Sequence, residues 1–417
     1  MKHLFITSIA LLSIIYAQSQ QLDVTADLRM RYEYRHGYSI LFNDTLKAAN
    51  FITQRSRINI DYSNQRIKLR ISPQNVRVWG DVATSSRTDL GLQFHEAWAD
   101  LTINNNLSIK AGRQELNYDD SRILGNVDWL MQARSHDALI TKIKTDSSNV
   151  FHIGLAVNAN RETNSRENYA IPTQYKYLQY LWYHGSFGKS GISFLLFNQG
   201  IPYLVNGIEK IAYNQTIGPR YTFANTRLNA DAAVYLQSGK IAANKLSALY
   251  FSGNINYKSI KGFVTGLGFE YLSGKAGNNT TTKVKSFNPW YGTNHKFNGF
   301  MDYFYVGNHI NSTGLTDVYA NFGYENQKLK LKLTPHYFAS AAGVYQTGVK
   351  QDSYLGTEID FTLTYNVVEN VQLFFGYSQM FASTSLEVLR GGDKDKTNNW
   401  AFLSLHFNPK IFTSKTK

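Results

Sequence analysis

The stretch QLDVTADLRMRYEY, at residues 21–34, alternates strictly between apolar and polar side chains. Alternation with a period of two places all apolar side chains on one face, which is the signature of a β-strand. Strands of soluble proteins average about five or six residues, whereas a strand that crosses a membrane needs roughly 9 to 11. We therefore expect residues 21–34 to span a membrane with their apolar face toward lipid.

The same alternation returns along the whole chain. It is clearest at residues 55–62, 151–158, 228–237, 263–271, 328–333 and 358–365. Short polar links, such as 63–65, 104–106 and 188–190, alternate with longer ones at 36–50, 80–91, 117–136, 159–174, 199–213, 273–316, 339–354 and 382–398. Only the link near 238–242 is short where a long loop is expected. Short periplasmic turns alternating with long extracellular loops are typical of bacterial outer-membrane barrels.

The fold class that follows is all-β, a transmembrane antiparallel β-barrel of about 18 strands, with 16 as the alternative. Hydrocarbon offers no hydrogen-bond partners, so a spanning sheet must close on itself. An even strand count places both termini in the periplasm. The closing strand is expected at 399–407, with 408–417 as a tail beyond it. A secreted β-sandwich or solenoid is the rival, but it gives no reason for the alternating loop lengths.

The N-terminus predicts export. Lys2 precedes an apolar run at 4–15, and Ala17-Gln18-Ser19 resembles a cleavage site, so residues 1–19 are expected to be a removed signal peptide and 20–417 a single outer-membrane domain. No other run approaches the roughly 20 apolar residues of a membrane helix. The absence of cysteine excludes a lipoprotein anchor and disulfides. The 28 Tyr and 25 Phe suit the aromatic girdles of a barrel.

The inward face of such a barrel lines an aqueous path at this strand count. Its expected basic residues are Arg29, Arg31, Arg55, Arg57, Lys68, Arg70, Arg220, Lys328, Lys330 and Lys332. The same face carries Asp23, Asp27, Glu33, Asp61, Glu96, Asp100, Glu270, Glu358 and Asp360, so cross-strand ion pairs are an equal alternative to a free cationic wall. Guanidinium groups bind carboxylates in a bidentate manner, which favours an anionic oligo- or polysaccharide as the solute.

Pro73 interrupts the alternation of its strand. Ile67, Leu69 and Ile71 are outward on odd numbers, whereas Val76 and Val78 would be outward on even ones. A β-bulge explains the change, and with it Arg77 is predicted to point into the lumen.

The most informative motif is GRQELNYDDSRILGNVDWLMQARSHDA at residues 112–138. It resembles the alginate-export family of outer-membrane barrels, which carry G-R-Q-x-L-x-Y-x-D-x-R-x-x-G followed by D-W and R-x-F-D. The matching positions are Gly112, Arg113, Gln114, Tyr118, Asp120, Arg122, Gly125, Asp128, Trp129, Arg134 and Asp137, whereas His136 replaces the usual aromatic residue. Residues 75–80 and 95–101 are similar to the preceding strands of that family, and the resemblance covers about 50–145.

The resemblance implies a wide barrel whose arginine-rich constriction passes a polyuronate, with Arg77, Arg113, Arg122 and Arg134 at the basic motif positions. Arg113, however, shares the outward parity of its strand, so we expect it at the rim. The loop 117–136 is long enough to fold inward as a constriction. Bracing of that loop by Arg–Asp pairs is the other interpretation, and both can hold together.

Catalytic and metal patterns are weak. His95, His152, His184 and His336 lie on different strands, and Asp119, Asp120 and Asp128 lack the regular spacing of a calcium loop. We therefore expect no enzyme, cofactor or metal.

The alternatives to a polysaccharide channel are a general or small-anion porin and, less favoured, a barrel hydrolase or adhesin. The expected partners of this monomer are the anionic saccharide, outer-membrane lipid with lipopolysaccharide, and the barrel-assembly machinery. A net charge of +13 does not imply nucleic acid in an exported chain.

Overall fold

The alternating segment at the N-terminus forms the first strand of a closed antiparallel barrel with 18 long strands. The structure is a computed structural model that describes residues 20–89, 91–165, 167–169, 171, 174–305 and 312–414, so the expected signal peptide 1–19 lies outside the described residues. The barrel strands in chain order are β1 (Gln21–His36), β2 (Ala49–Ser63), β3 (Ile67–Val78), β4 (Leu92–Asn104), β5 (Leu107–Gln114), β6 (His136–Lys144), β7 (Asn149–Val157), β8 (Tyr177–Phe187), β9 (Ser190–Val205), β10 (Ile208–Ala224), β11 (Leu228–Ile241), β12 (Asn244–Lys258), β13 (Phe263–Leu272), β14 (Leu315–Glu325), β15 (Leu329–Ala339), β16 (Tyr354–Val368), β17 (Val371–Ala382) and β18 (Asn398–Phe407).

Closure is made by β1, which pairs with β2 on one side and with β18 on the other. The register along this seam sets Leu28 opposite Phe407. The segment expected to be a free tail instead continues the seam, because Lys410–Thr413 forms a short strand that pairs with the start of β1. The unpaired N–H and C=O groups at the start of β1 are thereby partly satisfied.

Short turns join the strands at one end of the barrel, and most long loops lie at the other. The prediction of a long loop at 199–213 was wrong. Instead, β9 and β10 extend beyond the rim as a hairpin closed by Asn206 and Gly207. Both turn residues have positive φ, 52° and 76°, which suits a tight hairpin turn. Ala242 and Ala243 form a second short connection at this end.

Other elements lie in the long loops. They are a hairpin of Tyr345–Gln346 and Val349–Lys350, a 3-10 turn at Asn294–Lys296, and one short helix, α1 (Thr384–Arg390), which Ser383 caps through its side chain.

None of the helices formed by the described residues is long and apolar enough to cross a membrane.

The distribution of side chains is inverted relative to a soluble protein. Leu267 and Leu236 on the outer face are 64% and 54% exposed, whereas Arg55 and Asp317 inside the barrel are 1% and 0% exposed. Apolar side chains on the outside match hydrocarbon, and polar ones inside require partners within the lumen. The contents of the lumen therefore decide what this barrel can do.

Candidate functional site

Two long loops fold into the lumen and pair with each other. We call residues 115–135 the first internal loop and 273–314 the second internal loop, of which 306–311 are outside the described residues. Leu124 and Tyr291 form a parallel bridge, in which Gly125 N–H donates to the Tyr291 carbonyl at 2.9 Å. Thr293 N–H also donates to the Ser121 carbonyl at 2.9 Å. The two loops thus satisfy each other's backbone groups and narrow the lumen.

Gly125 lies at a point of close approach between the two loops. A Cβ at this position would lie 2.3 Å from Thr293 Oγ1 and 2.8 Å from Ser121 Cβ. Gly112, at the start of the same motif, has φ of +120°, and a Cβ there would lie 2.3 Å from the Ala97 carbonyl oxygen. Both motif glycines therefore serve close backbone approach.

Asp128 fastens the first internal loop to the barrel wall. Its carboxylate accepts hydrogen bonds from Arg29 Nη2 at 2.9 Å and from Arg55 Nη1 at 2.7 Å, and Arg55 also pairs with Asp27 at 2.5 Å. Burial opposes ionisation of Asp128, but the charges of the two arginines outweigh it and lower the pKa of the carboxyl to about 2.

Trp129 adds a stacked contact beside Asp128. The Arg31 guanidinium carbon lies 3.8 Å from the centroid of the indole ring, and Arg31 Nη1 donates to the Trp129 carbonyl at 2.7 Å. His295 of the second internal loop stacks on the ring, with centroids 4.3 Å apart. Cation–π and stacking contacts thus hold both loops against the wall.

Arg57 takes part indirectly. It donates through Nη2 to Gln74 Oε1 at 2.7 Å, and Gln74 Nε2 donates to the Gln132 carbonyl of the first internal loop at 3.0 Å. The arginines of β1 and β2 therefore brace a loop as well as line the lumen.

Arg122 and Arg134 join the internal loops to each other. Arg122 is fully buried, pairs with Glu270 at 2.8 Å and donates to Asn298 Oδ1 at 2.8 Å. Arg134 donates to the Gly292 carbonyl at 3.1 Å. The resemblance placed both arginines at a constriction; in the structure Arg122 is buried away from any solute, whereas Arg134 is half-buried.

The remaining motif residues support the same region. Tyr118 Oη lies 2.8 Å from Tyr180 Oη, and Gln114 donates to the Ala138 carbonyl at 2.8 Å. Asp120 lies 3.6 Å from Arg220. Asp120 and Asp128 thus lie against different arginines, Asp128 against Arg29 and Arg55 of the wall.

The prediction that Arg77 points into the lumen was wrong. It lies opposite Gln54 on β2, one position out of phase with the inward Arg55 and Arg57, so it points outward. It forms an ion pair with Asp89. The register of β3 with β2 is unbroken, and the extra residue of the bulge predicted at Pro73 belongs to β4, where the pairing skips His95. The outer-face position of Arg77 follows from that difference.

Arg113 also lies on the outer face, at the end of β5. It stands opposite Asp137, with Nη1 3.2 Å from the carboxylate, and both side chains are exposed.

The other basic positions differ in their surroundings. Arg70 pairs with Asp61 at 2.7 Å and Glu96 at 3.2 Å. Lys330 pairs with Glu325 at 2.7 Å, and Lys328 lies at the short turn that precedes β15. Lys332 lines the lumen.

A trio of potential metal ligands, His95, Glu96 and Glu115, lies at the base of the first internal loop, with ligand atoms within 4.8 Å of one another. His95 Nε2 is 2.8 Å from Glu115 Oε1, and Glu96 accepts from Trp98 and Arg70. These atoms already have partners, so the trio supports the base of the loop.

Two neighbouring cavities lie beside the internal loops. The first is about 590 Å³, and its charged lining is Arg29, Arg31, Lys296 and a single carboxylate, that of Asp128. Its aromatic lining is Trp129, Phe300, Phe374 and Phe402, together with His295 and His406. Cationic groups beside aromatic faces form a surface that suits a charged ring-shaped solute.

The second cavity, of about 350 Å³, shares Lys296 and Phe300 with the first. It has a mixed lining, because Asp120, Asp231, Glu270 and Asp360 lie there with Arg220 and Lys332. Within the described part of the chain, neither Lys296 nor Lys332 forms an ion pair; Lys296 Nζ donates to the Asp120 carbonyl at 2.8 Å.

Sequence reasoning did not identify Lys296, His295 and Phe300 as pore residues. They lie in the second internal loop, which has no alternation to reveal an inward face. Its length was the available signal, since loops above about 15 residues are uncommon unless they have a function.

A closed 18-stranded barrel with a lipid-facing apolar surface and an internal constriction defines an outer-membrane channel. The model of the alginate export family matches residues 20–390, and the chain belongs to that family. No curated protein matches the sequence.

Solved porins share the fold at low sequence identity. Pseudomonas aeruginosa OccK9 (OpdG) is 11% identical with a TM-score of 0.64, covering 94% of this chain and 98% of that one. A BenF-like porin from Pseudomonas fluorescens Pf-5 is 12% identical with a TM-score of 0.63, covering 94% and 99%. Acinetobacter baumannii OccAB4 is 12% identical with a TM-score of 0.62, covering 94% and 99%. Family and fold are those of channel proteins.

Proposed function

We propose that this channel passes anionic oligo- or polysaccharides of the uronate type, with its long loops outside the cell and both termini in the periplasm. The observation that carries the proposal is the lining of the first cavity, where Arg29, Arg31 and Lys296 face one carboxylate. A carboxylate-bearing sugar gains from guanidinium and ammonium groups, while its apolar ring face packs on Trp129 or Phe300.

The two lysines without ion pairs are the groups most available to a moving solute. Arg29 is engaged with Asp128, and Arg31 with the Trp129 carbonyl and with Glu33 of the same strand at 2.9 Å, so a passing carboxylate would share both arginines with these partners. Lys296 and Lys332 form no ion pair among the described residues, and the nearest opposing charge on Lys332 is the Asp360 carboxylate in the same cavity. Because both line the second cavity and Lys296 also lines the first, they place positive charge at the junction of the two cavities, beside the carboxylates of the second.

Planar-bilayer recordings test this function. The wild-type channel should be anion-selective and reversibly blocked by oligouronates. The double variant Lys296→Gln/Lys332→Gln should bind the blocker roughly fivefold more weakly for each ammonium removed, since each contributes about 1 kcal/mol at contact distance in water. Cation selectivity in the wild type, or unchanged block in the variant, would contradict the proposal.

A matched control uses two lysines outside both cavities. Lys258 and Lys330 pair with Glu325 at the short-turn end, at 3.0 and 2.7 Å. The variant Lys258→Gln/Lys330→Gln removes the same charge and should leave oligouronate block unchanged.

A small-anion porin is the second candidate, and the pairing of the two internal loops favours it. Leu124, Gly125 and Tyr291 bring backbone across the lumen, which limits the size of a solute. Oligouronates of increasing length separate the two functions. Longer oligomers should block for longer times in a polysaccharide channel, whereas a small-anion porin should bind only the shortest.

A further inference from the structure

A lysine cluster lies on the outer face of β11 and β12, at the long-loop end. The pairing of these strands sets Leu236 opposite Leu249, then Ser238 opposite Ser247, and then Lys240 opposite Lys245. This one column therefore passes from apolar side chains through hydroxyls to two ammonium groups. The inward neighbours on β12, Leu246 and Ala248, are buried, which confirms that Lys245 and Ser247 point outward.

Two like charges directly opposite each other on a sheet are destabilising unless an anion lies between them. Lys240 and Lys245 are both exposed. Tyr213 of β10, also exposed on the outer face, stands next to Lys240 because Asn214 pairs with Gly239. A tyrosine beside basic side chains at the edge of an apolar band is typical of the membrane interface.

The second internal loop adds further lysines to this place. Val284 forms a parallel bridge with Leu246, with Val284 N–H donating to the Lys245 carbonyl at 2.8 Å. Val284 is buried, so its neighbours Lys283 and Lys285 lie on the other side of the segment, beside Lys245. Lys283 is exposed and Lys285 is half-buried.

Acidic residues are scarce in the segments that form the cluster. Between Asp231 and Asp302 the sequence contains one, Glu270, and its side chain is buried against Arg122. Glu209 of the adjacent hairpin is paired with Lys176 at 2.6 Å. Among the described residues, Lys240, Lys245, Lys283 and Lys285 form no ion pairs, so the cluster has a local excess of positive charge.

We propose that Lys240, Lys245, Lys283 and Lys285 bind the phosphate groups of a phosphorylated glycolipid headgroup, lipopolysaccharide, in the surrounding leaflet. The outward apolar positions of β11 run over the nine residues from Leu228 to Leu236, and a tilted strand of roughly 9–11 residues crosses the hydrocarbon layer. Lys240 follows four residues later, about 14 Å farther along the tilted strand, at the height of the headgroups. The assignment rests on the proposed orientation, with the long loops outside.

The test uses the full chain purified in detergent and titrated with lipopolysaccharide, with its dephosphorylated form, and with inorganic phosphate. The triple variant Lys240→Gln/Lys245→Gln/Lys283→Gln should bind lipopolysaccharide roughly tenfold or more weakly, since each basic residue near an anionic lipid surface adds to binding. A triple change of the same lysines to Arg should keep binding near the wild-type level.

The matched control is Lys144→Gln/Lys189→Gln/Lys261→Gln, which removes three exposed lysines near the short-turn end. It should bind lipopolysaccharide as the wild type does. Equal loss in both triple variants, or equal binding of dephosphorylated lipid, would overturn the proposal. Saturable binding of inorganic phosphate alone would assign the cluster to free phosphate and overturn the lipid assignment.

Two further measurements separate this proposal from that of the pore. The lysine cluster lies on the outer face, so its triple variant should retain oligouronate block in bilayers. Labelling of Lys240→Cys on intact cells by a membrane-impermeant maleimide tests the orientation alone. Unlabelled Cys at this position would overturn the headgroup assignment without affecting the selectivity of the channel.

Discussion

The Arg29 guanidinium holds Asp128 at two points, through Nη1 to the backbone carbonyl at 2.7 Å and through Nη2 to the carboxylate at 2.9 Å. An arginine on the barrel wall thereby fixes both the position and the charge of a loop residue. The fastening is electrostatic, so it should respond to mutation and to pH, and its loss should open the lumen while the hydrogen-bonded wall remains closed.

Asp128→Asn should loosen the first internal loop. The amide keeps the shape but loses the charge that Arg29 and Arg55 share, at a cost of about 1 kcal/mol for a partly exposed pair. Single-channel recordings should show larger conductance and more frequent fluctuations. Asp137→Asn, which removes the exposed partner of Arg113 at the rim, is the control and should leave conductance unchanged. Identical traces for both variants would contradict the fastening role.

Lowering the pH should have the same effect on conductance as the substitution Asp128→Asn. The pKa of Asp128 is lowered from 3.8 to about 2, so its contribution to docking is complete above about pH 4 and is lost as the pH falls through 2. Conductance should be constant from pH 7 to about 4 and rise below about 3. The Asp128→Asn channel should lack the part of this rise that comes from Asp128. A rise of the same size in both channels would assign the transition to other carboxyls.

Gly125→Val should separate the two internal loops. Its side chain would collide with Thr293 and Ser121, and overpacking of this kind costs about 1–3 kcal/mol. Limited proteolysis should cut the loops faster, and conductance should increase, while the heat-modifiable gel shift of the barrel persists. Gly253→Ala is the control, since a Cβ there meets no atom nearer than 3.8 Å. Unchanged proteolysis of Gly125→Val would show that the close approach does not hold the loops.

Arg77→Ser should have no effect on ion selectivity, because the register places Arg77 on the outer face with Asp89. The comparison variant is Lys296→Gln, which removes one charge from the lumen and should lower anion selectivity. Reversal potentials across a salt gradient measure both. A loss of selectivity in Arg77→Ser equal to that of Lys296→Gln would contradict the outward placement.

Sequence patterns predicted most of the wall. The period of residues 21–34, the nearly regular alternation of short and long links and the strand count all agree with the structure, because a strand in a barrel needs only its own two faces and its neighbours. The prediction was wrong at 199–213, where polar residues continue a hairpin beyond the membrane. Polarity alone does not distinguish a loop from a strand that leaves the lipid.

The site was less predictable. The motif from Gly112 to Asp137 marked the first internal loop, but the sequence did not show that Asp128 would meet Arg29 and Arg55. Those contacts join residues far apart in the chain, and the local periodicity of the sequence gives no information about them. The bulge shows the same limit on a smaller scale, since the extra residue is on β4 and its effect on Arg77 was assigned to the wrong strand.

By itself, the sequence determined the barrel, a strand number of about 18 with 16 as the alternative, and the parity that puts arginines of β1 and β2 inside. These features depend on the local alternation of lipid-facing and lumen-facing side chains. Only the tertiary structure decided that two loops enter the lumen and use those arginines, leaving Lys296 and Lys332 without ion pairs among the described residues. Charge pairing across a lumen depends on which loop folds inward and how far it reaches. The pairing of charges in the lumen is therefore a property of the closed barrel and the two internal loops together.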